Sequence, residues 1–342
     1  MSNRTKTDTY FTDKVRKDLQ TMPDFVKRYM RSIHNTTSPR TQYEYLKDIQ
    51  KYFNWLESKY QTTVDINLLS SQTKEDFEDY IETIEHYSFN GIERTNSRTS
   101  IKRKLSSLRR FFAYLFAENI IPADEIRKIA MPKVPKKEIV HMEQSEMHDF
   151  LHTIEHGTNL TQKEKEYHSQ QAVRDMAIAS LMLSTGIRVS ECAELDISDI
   201  DMTRSSIHII RKGGNESTVY FSDEAAMYLQ AWLEERSNIK NLDKSETALF
   251  LSSRKKRLSV RSIEILIQKY AKRAAINKHI TPHKLRSTFA TTLYQNTGDI
   301  YLVAETLGHK DITTTKEHYA RLSDQRKREN RNKIKLFSTD EP

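Results

Sequence analysis

Apolar side chains recur at helical spacing through most of the chain. Ser38 followed by Pro39 is typical of a helix start, with a hydroxyl cap and proline at the first helical position. The apolar positions that follow are Leu46, Ile49, Phe53 and Leu56. They share one helical face. Residues 171–185 are apolar on several faces, which predicts a buried helix ending at Gly186. The pattern therefore predicts a mainly α-helical protein.

Strand-like alternation is found between residues 205 and 221. Residues 205–211 and 217–221 are β-rich, and a Gly-Gly turn lies between them. This pattern predicts a β-hairpin with Lys212 at its tip. By contrast, residues 86–98 and residues 157–170 are expected to be loops.

The helix predicted over residues 99–116 has two contrasting faces. Its apolar face carries Ile101, Leu105, Leu108, Phe112 and Leu115. The opposite face carries the cations Lys102, Arg103, Arg109 and Arg110. Such a face could lie along a DNA phosphate backbone. The alternative is an ordinary amphipathic helix with a solvated outer face.

A linker signal divides the chain. Residues 131–141 contain two prolines, three lysines and no helical periodicity, which favours an extended connector. We therefore expect five segments. They are a loose polar arm leading into a short helix (residues 1–21), a helical domain (22–130), the basic linker (131–141), a second domain (142–323) and a basic tail (324–342).

Composition limits the classes of protein. The 342 residues carry a net charge of +8, which suits a polyanionic partner, although a solvated basic surface gives the same excess. Cys192 is the single cysteine, so we expect a buried small hydrophobe and a reducing compartment. We find no signal-peptide pattern and no apolar run of about 18 residues. We therefore expect a cytoplasmic protein with no membrane partner.

Residues 281–319 contain several side chains suited to chemistry. Pro282 can open a helix, which would place His283 and Arg286 on one face. The Leu-Gly pair before His309 is typical of a helix end, and Tyr319 follows ten residues after that histidine. A phenol with a pKa near 10 is protonated and needs help to act as a nucleophile.

Two upstream clusters complete the set. One is Arg188 with Glu191 after Gly186, and the other is Lys212 in the hairpin turn. The full series is Arg188, Lys212, His283, Arg286, His309 and Tyr319. In order and spacing it resembles the tyrosine recombinase/integrase family. The resemblance implies an all-helical N-terminal core-binding domain and a mostly helical catalytic domain with a small antiparallel β-sheet.

The resemblance also implies the reaction. Tyr319 would attack a DNA phosphodiester to give a 3′-phosphotyrosyl bond and a free 5′-hydroxyl, with no cofactor. Arg188 and Arg286 would hold the non-bridging oxygens through their planar guanidinium groups.

The remaining residues would move protons and orient the site. His283 is the expected general base and His309 a hydrogen-bond donor to the phosphate. Lys212 would protonate the leaving 5′ oxygen, and Glu191 would orient neighbouring groups. A metal site of His283, His309 and His318 is disfavoured because carboxylate or thiolate companions at ligand spacing are missing.

Within the family the likeness is closest to Xer recombinases of the single-protein streptococcal and lactococcal type. It rests on the segments MPDFVKRYM, TQYEYLKD, RKGG, TALFLS and TPHKLRSTFATTLY. Ser287 departs from the family pattern, since many members have a histidine there. The spacing of ten between His309 and Tyr319 also departs, because Xer proteins usually have nine and many integrases have ten.

Three functions follow from the resemblance. The first is resolution of chromosome or plasmid dimers, the second is integration or excision of a mobile element, and the third is a regulator without catalysis. The expected partner is double-stranded DNA with a short inverted repeat. We expect a free monomer that forms a homotetramer on two duplexes in a bacterial, nucleoid-associated setting. A DNA translocase of the cell-division machinery is a further candidate partner. The basic tail would dock on a neighbouring protomer.

Overall fold

The computed structural model describes residues 3–89, 91–135, 139–211 and 214–308. The chain divides into two compact units, Met1–Lys136 and Lys137–Pro342. The boundary between them lies in the segment that the sequence predicts to be a linker, and the precise domain limits stay a prediction. The predicted fold class is confirmed, since helices dominate both units and the strands form small antiparallel sheets.

The first unit is built from amphipathic helices. They are α1 (Asn3–Leu19), α2 (Asp24–Ser32), α3 (Pro39–Tyr60), α4 (Ile66–Ser70), α5 (Lys74–Glu85) and α6 (Arg98–Ala117). Ser38 caps α3 by accepting a hydrogen bond from the backbone N–H of Thr41, as its sequence predicts. The apolar faces of α3 and α6 meet in an aromatic core that includes Tyr52, Phe111 and Phe112.

Two predictions in this unit were wrong. The segment expected to be a loose arm leading into a short helix is almost entirely helix α1, which packs along α3. Residues expected to form a loop make an antiparallel hairpin of β1 (His86–Phe89) and β2 (Ile92–Thr95). All four residues of β2 are exposed, so the alternation that marks a half-buried strand was missing.

The second unit is organised around one buried helix, α9 (Ala172–Thr185). Its helices are α7 (Gln144–His156), α8 (Gln162–His168), α9 (Ala172–Thr185), α10 (Val189–Glu194), α11 (Asp223–Ser237), α12 (Val260–Arg273), α13 (Pro282–Thr297) and α14 (Ile300–Leu307). Helix α9 packs against α7, α11 and α13. This explains why its apolar residues point in several directions. Helix α8 lies in a segment predicted to be a loop, and none of its residues is buried.

A three-stranded antiparallel sheet completes the second unit. Strands β3 (Ile200–Asp201), β4 (Ser206–Ile210) and β5 (Glu216–Tyr220) follow one another in the order β3-β4-β5. Ile207 and Ile209 point into the core, whereas His208 and Ile210 are exposed. The predicted hairpin is therefore confirmed for β4 and β5, while Lys212 lies outside the described residues.

Within the described ranges, no helix has the length and apolar character that a membrane span requires.

Candidate active site

Arg188 begins a helix and is held by a carboxylate one turn later. Gly186 ends α9 in the left-handed conformation, with φ of 63°, so the chain turns sharply before Arg188, the N-cap of α10. Glu191 accepts hydrogen bonds from the backbone N–H and from Nη1 of Arg188, both at 2.8 Å. The carboxylate thereby orients the guanidinium, whose planar set of five N–H donors is larger than this pairing uses.

The exposure of the two partners differs. The Glu191 side chain is 5% exposed and that of Arg188 is 37% exposed. A buried carboxylate with a half-exposed guanidinium is an arrangement that presents positive charge to a ligand while fixing its direction. Neighbouring Cys192 is buried, as predicted. Burial, and to a smaller extent the negative charge of Glu191, raise the pKa of its thiol to about 12.

Helix α13 contributes the next two candidates. Pro282 is its first residue, as the sequence predicts, and His283 is exposed in the first turn. Arg286 is buried, with 6% of its surface exposed. Its Nη1 donates to the Gly186 carbonyl at 2.7 Å and its Nη2 to the Leu307 carbonyl at 2.6 Å. One guanidinium therefore joins the segment before Arg188 to the end of α14.

Close packing supports this junction. A Cβ on Gly186 would collide with the Phe289 ring of α13, and its positive φ also favours glycine. The end of α9 therefore lies directly on α13. As predicted, α14 ends at Gly308, with φ of 64°. His309 is the next residue in the sequence but lies outside the described residues, as does Tyr319.

Arg211 is a site residue that the sequence reasoning missed. Its Nη2 donates to the Thr306 carbonyl in the last turn of α14, at 2.7 Å, and 7% of the residue is exposed. A Cβ on Gly308 would collide with the Arg211 guanidinium. Burial lowers the Arg211 pKa, while Glu191 acts to raise it and Arg188 to lower it. Arg211 therefore lies in the field of the Arg188–Glu191 pair.

The candidate cations of α6 have unequal surroundings. Lys102 is exposed. Arg103 makes two hydrogen bonds to Asp48, at 2.7 and 3.0 Å, and burial raises the pKa of that aspartate although Arg103 opposes the shift. Arg109 is half-buried and donates to the Ile129 carbonyl. Arg110 is exposed, with its guanidinium above an aromatic ring.

In chemical terms, the described part of the site can bind and orient an oxyanion. Arg188 offers a fixed cation at the surface. Arg286 binds the backbone carbonyls of Gly186 and Leu307, which precede the candidates Arg188 and His309 in the sequence. Among the described residues, no group of three or more His, Cys, Asp and Glu side chains is placed to hold a metal ion. The disfavoured histidine metal site includes His309 and His318, which lie outside the described residues.

Comparison with known sequences decides the family. A family model described as "Phage integrase family" matches residues 141–326, and one described as "Phage integrase, N-terminal SAM-like domain" matches residues 26–119. The chain belongs to the phage integrase family. As a member of this family it is a site-specific tyrosine recombinase, an enzyme that cleaves and rejoins DNA strands.

Individual members of the family match over most of the chain. Tyrosine recombinase XerS of Streptococcus thermophilus is 31% identical over 346 aligned residues, covering 92% of this chain and 96% of the relative. Tyrosine recombinase XerC of Vibrio vulnificus is 32% identical over 225 residues, covering 66% of this chain and 67% of the relative.

Solved structures of the family share the fold. The XerH recombinase bound to its difH substrate has a TM-score of 0.63 at 20% identity, covering 95% of this chain and 89% of XerH. A lambda integrase tetramer bound to a Holliday junction has a TM-score of 0.62 at 17% identity, covering 86% and 76%. At these identities the likeness shows the fold.

Within this family fold, the structure brings Arg286 to the segment that carries Arg188 and Glu191, which lies about a hundred residues earlier in the sequence. His283 lies one turn before Arg286 on the same helix. Lys212, His309 and Tyr319 lie outside the described residues, so their places in the site stay predictions. Their described neighbours Arg211 and Gly308 nevertheless touch.

Proposed function

We propose that this recombinase resolves dimers of circular DNA, such as chromosomes or plasmids, as a single-protein Xer system. The observation that carries the proposal is the match to XerS along nearly the whole of both chains, 92% of this one and 96% of the relative.

A second candidate is integration or excision of a mobile element. The spacing of ten residues between His309 and Tyr319 favours it, since many integrases have this spacing. The chemistry is the same in both functions, so the target site and its genomic position distinguish them.

The proposed substrate is double-stranded DNA with a short inverted repeat, bound by four protomers on two duplexes. The XerH and lambda integrase structures, which contain DNA and in one case a tetramer on a Holliday junction, support this assembly. In the same proposal the protein acts at the bacterial nucleoid, and a DNA translocase of the division machinery is a candidate partner.

The proposed reaction is a reversible transesterification. The Tyr319 oxygen bonds to the scissile phosphorus as the bond from phosphorus to the 5′ oxygen breaks. The tyrosine proton passes to His283, and a proton from Lys212 passes to the departing 5′ oxygen. His309 donates a hydrogen bond to the phosphate. Religation reverses these transfers with the 5′-hydroxyl of a partner strand.

The described arginines suit the charge that builds up on the phosphate. Arg188 is oriented by Glu191 and half-exposed, so it can bond non-bridging oxygens without first reorganising, which is the condition for strong transition-state stabilisation. Arg286 has two of its N–H donors on backbone carbonyls. In this proposal the positive charge of its guanidinium stabilises the same phosphate.

The test begins with selection of the bound DNA from a random pool, which should yield an inverted repeat. A nicked duplex carrying that site should trap a covalent protein–DNA adduct with the wild-type chain. Tyr319→Phe should bind the DNA normally and form no adduct. Tyr167→Phe, at an exposed tyrosine of α8, is the matched control and should form it.

The outcomes also separate the two candidate functions. Plasmid dimers that carry the selected site should resolve to monomers in cells that produce the protein. An adduct retained in Tyr319→Phe would mean that the nucleophile is elsewhere. A wild-type chain that binds the site but forms no adduct would support the regulator hypothesis instead.

A further inference from the structure

The buried guanidinium of Arg211 connects two segments of the chain that each precede a proposed catalytic residue in the sequence. Arg211 follows the last residue of β4 and precedes Lys212, and its Nη2 donates to the Thr306 carbonyl at 2.7 Å in the last turn of α14. We propose that Arg211 is a positioning residue, which fixes the place of Lys212 by joining the hairpin turn to the end of α14. This inference rests on the proposed function, in which Lys212 protonates the 5′ oxygen.

The backbone of Arg211 is fixed together with its side chain. Its N–H donates to the Asn215 carbonyl at 2.8 Å, and its carbonyl accepts from the Gly214 N–H at 3.0 Å. These bonds close the connection between β4 and β5, the stretch of the sequence to which Lys212 belongs. Gly214, Asn215 and Glu216 are exposed, whereas Arg211 is buried. Among the described residues of this turn, Arg211 is therefore the one whose side chain is packed into the rest of the unit.

The burial of this cation is unfavourable in itself. Nε and Nη1 of Arg211 are buried without a hydrogen-bond partner among the described residues, and burial lowers the pKa of the group. Buried donors without partners are costly, and an apolar side chain of similar size would avoid that cost. An arginine at this position is thus explained poorly by stability and better by the connection that it makes.

Gly308 fits this connection from the opposite side. The residue has φ of 64°, and a Cβ would collide with the guanidinium of Arg211. Backbone conformation and close packing therefore both favour glycine here. The contact brings the residue before Lys212 against the residue before His309.

The effect of Arg211 is assigned to Lys212 because the end of α14 has a second support. Arg286 Nη2 bonds the Leu307 carbonyl at 2.6 Å, independently of Arg211. Loss of Arg211 would therefore leave the α14 end in place while releasing the hairpin turn. The expected defect is in protonation of the leaving group, as the bond from phosphorus to the 5′ oxygen breaks.

A sulfur substitution isolates that step. A substrate with sulfur in place of the bridging 5′ oxygen releases a thiolate, which needs no proton because a thiol pKa is near 8.5. Arg211→Met keeps a long stem and removes the donors. We expect it to bind the selected DNA as the wild type does and to cleave the oxygen substrate about 100-fold more slowly, the scale of general acid catalysis. The sulfur substrate should be cleaved at nearly the wild-type rate.

Arg204→Met is the matched control, since its side chain is 81% exposed in the turn before β4. It should cleave both substrates as the wild type does. Thermal unfolding reports whether Arg211→Met folds. Should it not fold, Arg211→Lys keeps the charge and most of the stem without the planar set of donors, and the same pattern of slow oxygen and normal sulfur cleavage is expected.

Two results would overturn the inference. One is wild-type cleavage of the oxygen substrate by Arg211→Met and Arg211→Lys. The other is an equal slowing on oxygen and sulfur substrates, which would place the effect at the phosphate or the nucleophile. Failure of the proposed reaction looks different, because the wild-type chain would then cleave neither substrate.

Discussion

Arg188 and Arg286 are assigned the same chemical role, yet their surroundings differ. Arg188 is a half-exposed helix cap with one carboxylate partner. Arg286 is buried and supports the backbone at Gly186 and Leu307. Replacing each residue should therefore separate a loss of catalysis from a loss of structure.

Arg188→Lys should retain folding and DNA binding but lose most of its cleavage activity, because an ammonium cannot reproduce the bidentate guanidinium. Removing one preorganised donor typically costs about 2.7–4 kcal/mol, or roughly 100- to 1,000-fold in rate.

Arg286→Lys should lose a similar factor in cleavage rate and also about 1–3 kcal/mol of stability, because a buried carbonyl loses its donor. Adduct formation on nicked DNA and thermal unfolding measure the two effects. Near wild-type cleavage by either variant would make that arginine a structural or surface charge.

The sequence predicts those parts of the site whose contacts join residues close together in the chain. It does not predict contacts between residues far apart in the chain. Arg188, Glu191 and His283 follow local rules, such as a glycine helix end or proline at a helix start. The contact of Arg211 with Thr306 joins residues 95 positions apart. No local pattern marks it, because an arginine before a Gly-Gly turn is usually solvated. The buried role of Arg286 was missed for the same reason.

At the scale of elements, the successes and failures follow the presence of a buried face. Helices α3 and α6 were predicted because each has an apolar stripe that packs in the core. Helix α8 has no buried residue, and the exposed strand β2 has no alternation. The Asn-Gly pair at residues 90 and 91 was the remaining signal for the β1–β2 hairpin.

The proposed contact of α6 with DNA can be tested by replacing the cations of this helix. Lys102→Ala and Arg110→Ala should weaken DNA binding and reduce the log–log salt slope by about one unit each. Arg103→Ala and Arg109→Ala should also weaken binding. Arg103→Ala should in addition lose about 1–3 kcal/mol of stability, because it leaves Asp48 buried without its partner, although the exposed guanidinium reduces the effect.

Fluorescence anisotropy at several salt concentrations measures the slope. Lys74→Ala on α5, where the lysine is exposed and paired with Glu78, is the control and should leave the slope unchanged. An unchanged slope in Lys102→Ala would return α6 to the interpretation as an ordinary amphipathic helix.

The surroundings of Asp76 on α5 predict a contribution to the free energy of unfolding that is lost at acid pH. Burial alone would raise the pKa of Asp76, but hydrogen bonds from Lys59, Tyr60 and Thr73 outweigh it and lower that pKa. A carboxyl whose folded pKa is depressed stabilises the fold above its unfolded pKa, about 3.9, and loses that contribution as pH falls below it. Asp76→Asn should therefore lower the free energy of unfolding by about 1.5–3 kcal/mol at pH 7. The difference from wild type should shrink as pH falls below about 3.9 and disappear only below the depressed pKa of the folded protein.

This prediction is tested by urea unfolding in a Trp232→Phe background. The fluorescence of Trp55, the remaining tryptophan of the chain, then reports the unfolding. Asp79→Asn is the matched control, because its carboxylate bonds the same lysine at 2.8 Å but is 59% exposed. An exposed pair contributes about 1 kcal/mol or less. Equal losses in both variants, or a pH-independent difference in Asp76→Asn, would contradict the burial argument.

At the scale of the whole molecule, the two units have separate cores of different character. The first core is rich in aromatic rings and the second is mainly aliphatic. The sequence predicts this division because a proline-containing basic segment separates two runs of helical periodicity. Assembly of several such chains on DNA then requires a contact between protomers, and the candidate for that contact is the tail, residues 324–342, outside the described residues.

The tail has the composition of a docking segment. Basic residues keep it soluble, and Ile334, Leu336 and Phe337 offer apolar surface. Burying such side chains contributes about 1.5–3 kcal/mol each, which is enough to control a reversible assembly. We expect a free monomer that assembles cooperatively on DNA by exchange of tails.

Deleting residues 324–342 should leave binding to a single half-site largely intact, apart from the lost basic charge, and abolish cooperative occupancy of a full site. Gel shifts on half-sites and full sites measure both effects. The triple variant Ile334→Ser, Leu336→Ser and Phe337→Ser is the sharper control, because it keeps every charge and removes the apolar surface. It should behave as the deletion does at full sites and as the wild type does at half-sites. Cooperative binding that survives both changes would show that protomers contact one another through another surface.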